Sequence, residues 1–376
     1  MSDTSASAST AARGRRLPSP AMIVAALAGL ALLLSVPFFL GEFWLQTGLF
    51  SMAGAIAAIG LTILVGRTGQ LSLGHAFFLA VGAYGYCYFA GGEQIPGLKE
   101  GPSGLELPPA IALVGAMLLA GVAGALFAPI AGRLHGIYLG IASIGLVFLG
   151  QHIMFNAETL TGGFNGRDAI DFSIFGYGFD DGDGTSDFGE LEKLWYLGLF
   201  LLAVSAWVAH NIVGGRPGRA FETLRDSTVA AATMGVDVRR TRATAFVLSS
   251  MYAGLGGALL AIAYGRIVPE TFGFVLSIEF LVIVVLGGLG SVNGAILGAI
   301  VVFGLPQIFS NYADSLPLVS EPGSGGVGPT QLSRYLFGAA IIAVLLMAQG
   351  GLAGIGRTLR ARLHARHAPH VPEPAP

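Results

Sequence analysis

The chain has 376 residues, 53% of them apolar and only 11% charged; soluble domains carry roughly 25% charged residues, so a water-facing globular fold is excluded. Glycine, 57 of 376, is about twice average usage without a Gly-x-y period, which excludes collagen, and the single cysteine, Cys87, excludes an intrachain disulfide or a cysteine zinc cage. The formal net charge of −2 says little until the charges are sorted by side of a membrane.

A bilayer core about 30 Å thick needs about 20 apolar residues per helix, and the chain supplies about ten such runs. A Ser/Ala/Thr-rich tail, 1–20, reads as a disordered cytoplasmic segment. Ala21–Leu40 follows; at about 20 apolar residues it exceeds the roughly 7–15 of a signal-peptide core, so it reads as a retained span. Phe43–Val65 comes next, then the polar turn GRTGQLSLGH and Ala76–Gly91. Pro109–Ala131 and Ile137–Phe155 precede an acidic outer loop, 157–193. Leu194–Val213 leads into a basic loop, 214–242, and Ala243–Ala263 follows it. Thr271–Leu286 and Ala295–Phe309 flank a second turn, GGLGSVNG, and Tyr335–Met347 leads into a basic, Pro-rich cytoplasmic tail, 353–376. The chain therefore reads as an all-α polytopic transmembrane helix bundle, nine or ten spans within 21–352.

With the N-terminus inside and ten crossings, the inner side holds fifteen of the twenty Lys and Arg: Arg13, Arg15, Arg16, Arg67, Arg133, six between Arg216 and Arg242, and four between Arg357 and Arg366. Lys99, Arg167, Lys193, Arg266 and Arg334 fall outside. Cytoplasmic retention of basic residues sets orientation, so both termini are expected inside. Sixteen of the 22 acidic residues fall outside, five inside, and Glu279 within a span. The chain has no GxxxxGK[ST] phosphate loop and no HExxH or GxSxG. Its histidines are scattered, with His75, His135, His152 and His210 at different span ends. No catalytic residue, metal site or cofactor of its own is expected.

Three strings carry more than a span or a plain turn requires. In the basic loop, GGRPGRAFETLRDSTVAAATMGVDVRRTR, Ala220, Leu224, Ala231 and Met234 recur at helical spacing, Val229 and Ala230 broaden that face, and Gly235 stops the helix. One amphipathic helix from Pro217 to Met234 is predicted; it either docks in a partner's apolar groove or lies on lipid headgroups. In GRTGQLSLGHAFF, Gln70, Ser72, Gly74 and His75 make a polar, glycine-punctuated stretch abutting membrane on both sides. Irregular backbone there is tolerated where it lines a cavity or is buried in protein, so a gate and a structural turn both stand. In SIEFLVIVVLGGLGSVNGAILG, Gly287 and Gly288 break an apolar run, and Gly294 and Gly298 make a close-packing face. Glu279 sits mid-span if Thr271–Leu286 is one helix; if a broken helix starts near Ser277, it lies at the mouth of a cavity or caps the half-helix N-terminus. An ionisable group at such depth costs about 2.5–3.5 kcal/mol and is a functional candidate. The acidic loop holds nine Asp and Glu against Arg167 and Lys193. Within it Asp181, Asp183, Thr185, Asp187 and Glu192 fall on a calcium-loop template, but Ser186 stands where the sharp turn needs Gly. A solvated loop and a docking surface compete with calcium there.

These strings, with RLHGIYLGIASIG (Arg133–Gly145) and TGGFNG (Thr161–Gly166), resemble the branched-chain amino-acid permeases of ABC importers, of the larger, LivM type, over roughly Gly54–Leu352. The basic loop is similar to the coupling loop of ABC-importer permeases, whose pattern Glu-Ala-Ala-x-x-x-Gly falls on Val229, Ala230, Ala231 and Gly235. Val229 replaces the Glu, with Arg225 and Asp226 shortly before it. The long acidic loop and long tails depart from the family. The resemblance implies an ABC-importer permease fold in the bacterial inner (plasma) membrane. It also implies a second permease as heterodimer partner, two cytoplasmic ATPases that bind the ATP, and an external substrate-binding protein. Branched-chain or related hydrophobic amino acids are the implied substrate, with urea or short amides as the alternative. No nucleic-acid partner is expected. Glu222, Arg225, Asp226, Ala230, Ala231 and Gly235 are the candidate contacts to the ATPase, with Ala231 on the docking face. Gln70, Ser72, Gly74, His75, Glu279, Gly287 and Gly288 are the candidates for pathway or gate. A stand-alone secondary transporter is the rival class; it needs intramembrane charge pairs, and only Glu279 is offered.

Overall fold

The computed structural model describes residues 28–29, 31–92, 104–134, 136–174, 177–179 and 189–312, with scattered positions from 332 to 354. The tails 1–20 and 355–376, much of Tyr335–Met347 and the acidic run 180–188 lie outside the described residues. Two units are distinguished, one ending at Gly41 and one from Glu42 onward. The first carries a short helical stretch, 31–35, and a 3-10 turn, Val36–Phe38.

In the second unit, α1 (Glu42–Leu61) continues through a π-helical turn, Thr62–Arg67. After the GRTGQLSLGH turn come α2 (His75–Ala90), α3 (Pro109–Arg133) and α4 (Ile137–Asn156). α5 (Glu190–Gly214) runs into two short helices, α6 (Arg216–Asp226) and α7 (Thr228–Thr233), and then into α8 (Val238–Tyr264). α9 (Phe274–Gly287) and α10 (Val292–Tyr312) follow. Six described helices are long and apolar enough to cross a membrane: α1 with its π-turn, α3, α4, α5, α8 and α10. α2 and α9, at 16 and 14 residues, reach only about 24 and 21 Å at 1.5 Å per residue.

From Glu42 to Tyr312 the chain runs between two ends of the bundle. One end gathers Arg67, Arg225, Arg239, Arg240, Arg242 and Gly290. The other gathers Gly91, Arg167 and Arg266, with β1 (Arg167–Asp168) paired antiparallel to β4 (Arg266–Ile267). A second small ribbon pairs β2 (Ser173–Ile174) with β3 (Tyr177–Gly178). α8 packs on α1, α2 and α3, and α10 and α5 also pack on α1, so α1 and α8 form the centre.

Inside a bilayer, lipid is as apolar as leucine, and small residues rather than hydrophobicity mark the helix contacts. A Cβ at Gly82 would lie 2.1 Å from the Gly254 carbonyl oxygen, and one at Gly257 would lie 2.0 Å from that of Leu79. α2 and α8 therefore touch backbone to backbone. Gly294 and Gly298 do the same for α10 against α9: a Cβ would lie 2.2 Å from the Gly287 oxygen and 2.3 Å from that of Ile283.

The basic loop holds two helices where one was expected. Ser227 is extended (φ −160°, ψ 121°), and its Oγ accepts the Ala230 N–H at 3.2 Å, capping a new helix. Thr271–Leu286 is likewise not one helix. A 3-10 turn, Pro269–Phe272, gives way at Gly273, and α9 starts afresh. Glu279 consequently lies in the second turn of α9, neither midway along a long span nor at a helix cap.

Candidate functional site

The three informative strings meet at the basic end. Arg67 ends the π-turn, and its guanidinium divides between two partners. Nη1 pairs with the Glu222 carboxylate on α6, and Nε donates to the Gly290 carbonyl at 2.8 Å. Arg225, three residues along α6 from Glu222 and so on the same face, donates from Nη1 to the Gly66 carbonyl at 3.0 Å. α6 is thus tied to the end of α1 by a carboxylate that accepts and a guanidinium that donates. Gly66 permits the junction, because a Cβ there would sit 2.1 Å from the Gly290 nitrogen. Gly290 itself has φ +79°, a conformation open to glycine at little cost. Phe221 and Leu224 are buried, so α6 also seats an apolar face in the bundle.

α7 is anchored through its ends. Gly235, at φ +79°, closes it in a Schellman motif: its N–H bonds to Ala232 O and that of Val236 to Ala231 O, both at 3.0 Å. Asp237 then caps α8, with Oδ1 accepting the Arg240 N–H at 3.0 Å. Ala231 is fully buried, so it cannot be on a docking face as expected; Val229 (72% exposed) and Met234 (74%) point outward instead. Ala230 is half-buried, and Asp226 is exposed beside Arg225, whose Nη2 it meets at 3.3 Å.

The GRTGQLSLGH string is packed in protein. Gln70, Ser72 and His75 are buried. Gln70 Nε2 donates to Thr68 Oγ1 at 2.9 Å and to Arg242 O at 3.4 Å. Ser72 Oγ accepts the Gly74 N–H at 3.4 Å. His75 Nε2 lies 3.0 Å from the Ala57 carbonyl; a carbonyl only accepts, so Nε2 carries the hydrogen. Its ring meets Phe280 edge-on at 5.0 Å. Two serines that sequence reasoning passed over pin the string. Ser143 Oγ accepts from Leu73 N–H at 2.8 Å, and Ser277 Oγ accepts from Ala76 N–H at 3.1 Å. Ser143 sits inside RLHGIYLGIASIG, so two of the recognisable strings are bonded to each other.

Gly287 backs onto Gly294, and Gly288 takes φ +106° at the break. Glu279 lines an open groove of about 410 Å³ together with Tyr264, Glu270, Thr271, Phe303 and Gln307. No basic residue lines it among those described. Of the calcium-template residues, Asp181, Asp183, Thr185 and Asp187 lie outside the described residues. Glu192 is described, and its carboxylate accepts the Gly189 N–H at the start of α5. At the far end Arg167, read only as an outer charge, is 1% exposed. Its Nη1 donates to Leu160 O at 2.7 Å, and its guanidinium lies 5.9 Å from the Tyr88 ring centroid. Burial lowers its pKa from the usual guanidinium value, and Cys87 and Tyr88 oppose that.

Residues 45–345 match the family described as branched-chain amino acid transport system / permease component. The chain belongs to that family. This permease-family chain is 32% identical to the LivM permease protein of the high-affinity branched-chain amino acid transport system of Escherichia coli K12, over 72% of this chain and 64% of that protein. The LivM protein of Salmonella typhimurium is 31% identical over 70% of this chain and 63% of that protein. The LivH permease of Escherichia coli K12 is 26% identical over 68% and 81%. The chain thus spans under two-thirds of the length of the LivM relatives. No solved structure matches it significantly. Six apolar helices and these bacterial relatives place the permease-family chain in the inner membrane as a multi-pass protein.

Proposed function

We propose that this chain is a membrane-spanning permease subunit of an ATP-driven importer of branched-chain amino acids, worked from the cytoplasm through α6 and α7. One observation carries this: Arg67 is bonded at once to Glu222 of α6 and to Gly290, while Arg225 of α6 is bonded to Gly66. A push on α6 therefore reaches both glycine-broken turns, where α1 and α9 end. The chain has no phosphate-binding loop of its own, so the push comes from separate ATPase subunits. Val229 and Met234 are the apolar contacts that α7 offers them.

The distribution of arginines favours an orientation with the basic loop and both termini in the cytoplasm. Counting Ala21–Leu40 and Tyr335–Met347, about ten spans result. A second permease of the LivH kind pairs with this one, and an external binding protein delivers the substrate. The groove beside Glu279 and Glu270 offers carboxylates to an ammonium group and Phe303 and Val302 to an apolar side chain. Closure of the ATPase pair moves α6 and α7 and switches the bundle between its two openings. Reconstitution in vesicles tests this. Labelled leucine should accumulate only with the second permease, both ATPases, the binding protein and ATP all present. Accumulation by this chain alone would overturn it.

A further inference from the structure

α3 and α8 pack closely through small residues: a Cβ at Gly124 would lie 2.4 Å from Ser250 Oγ, and one at Gly254 would lie 2.3 Å from Ala120 Cβ. Toward the basic end the same two helices border a groove of about 550 Å³. Ala125, Ala128 and Gly132 of α3 and Val247 of α8 line it, and so do Arg239 and Arg240. A Cβ at Gly132 meets nothing within 4 Å, so missing side chains keep the slot open. Arg240 pairs with Asp237 at 3.3 Å. Arg239 makes no side-chain hydrogen bond or ion pair among the described residues. Two arginines against one aspartate leave an excess of one positive charge beside an apolar slot between two spans.

We propose that this groove binds one anionic glycerophospholipid of the cytoplasmic leaflet, with its phosphate at Arg239 and Arg240 and an acyl chain along the slot. The cytoplasmic placement rests on the orientation proposed above. Charge complementarity selects this occupant: anionic lipid is concentrated at that surface, and basic pockets between spans on that side take lipid headgroups. Beyond the two arginines the walls are mostly apolar, with Thr244 the polar exception, and offer an alkyl chain a surface that water wets poorly. The site also reaches the coupling loop. Arg239 lies four residues beyond Gly235, after the turn that closes α7. A lipid held there anchors the loop's return to the membrane, which makes coupling depend on anionic lipid.

Native mass spectrometry of the purified full chain tests the site, in detergent doped equally with phosphatidylglycerol or phosphatidylcholine, with inorganic phosphate as a third arm. The unmodified chain should retain one phosphatidylglycerol in preference to phosphatidylcholine, and inorganic phosphate should not displace it. R239Q/R240Q should retain about 30-fold less, at about fivefold per charge. Gly132→Phe fills the slot with the charge unchanged and should also lose the lipid; it decides the matter if the double variant does not fold. Retention at the unmodified level by either folded variant overturns the proposal, as does displacement by inorganic phosphate. If R239Q/R240Q keeps the lipid but no longer co-purifies with the ATPase subunits when the importer is assembled, the arginines face the ATPase and the lipid site is wrong. Lipid retention needs no transport, so its failure leaves the permease reading standing, and failure of that reading would show in the uptake assay instead.

Discussion

Replacing Arg67 by glutamine removes a side chain that joins the coupling helix to the second broken turn. Arg67 is 24% exposed and Glu222 is 44% exposed. Because Glu222 is more than a third open to water, its pair with Arg67 counts at the surface value, about 0.5 kcal/mol. The Nε bond to Gly290 is charge-assisted and contributes about 1.5 kcal/mol. About 2 kcal/mol of interaction is then lost, roughly a 30-fold weaker link at 1.36 kcal/mol per tenfold. The assay is leucine taken up per ATP hydrolysed, in vesicles holding the assembled importer. Hydrolysis should persist while uptake per ATP falls about tenfold or more. Arg67→Lys keeps a charge for Glu222 but cannot fork to Gly290, and should fall between. Glu222→Gln combined with Arg67→Gln should cost less than the sum of the two. Unchanged uptake per ATP in a folded Arg67→Gln protein would show that this junction carries no force.

Val229→Glu and Met234→Glu put charge on the exposed side of α7 and should abolish ATPase co-purification without lowering thermal stability. Ala231→Glu buries an unpaired charge instead and should cost on the order of 3 kcal/mol or more, read as a fall in melting temperature. Gly66→Ala pushes a methyl into the Gly290 backbone and should lose uptake along with about 1–3 kcal/mol of stability; Gly145→Ala, on α4 and facing open space, is the neutral control. Arg167→Met leaves the Leu160 carbonyl without its donor at the far end, and should lower the melting temperature while ATPase co-purification stays intact.

Much of the architecture is legible in the chain because span length and glycine chemistry are local. The apolar runs mark α3, α4, α5 and α8 to within a few residues, and Gly235 marks the end of α7 through the left-handed conformation a Schellman turn needs. The break at Ser227 is harder to read: Ala220, Leu224, Ala231 and Met234 keep helical spacing across it, and the extended backbone at Ser227 separates α6 from α7. Which face of α7 looks outward is not local information. Val229, Ala230, Ala231 and Met234 are all apolar, and only the bundle decides that Ala231 is inside and Met234 outside. The spans show the same limit. Leu126 is 76% exposed and Leu139 is 1% exposed, because a lipid-facing leucine and a core leucine meet equally apolar surroundings. Arg67 reads as one more inner charge, since its partners lie 155 and 223 residues away along the chain. Ser143 and Ser277 are single hydroxyls in apolar runs, and their role exists only once α4 and α9 stand beside the turn.

The most direct test of the junction is a pair of spin-label distances in the assembled importer, with and without ATP. Thr228 and Leu289 are both exposed and accept labels, one at the start of α7 and one in the glycine-rich turn; Phe164, exposed at the far end, takes the reference label. If the loop and the two broken turns move as one body, the Thr228–Leu289 distance should hold within about 2 Å while Thr228–Phe164 changes by more than that. A Thr228–Leu289 distance that changes as much as the reference distance would mean the loop swings free of the bundle, and α6 would then transmit nothing through Arg67.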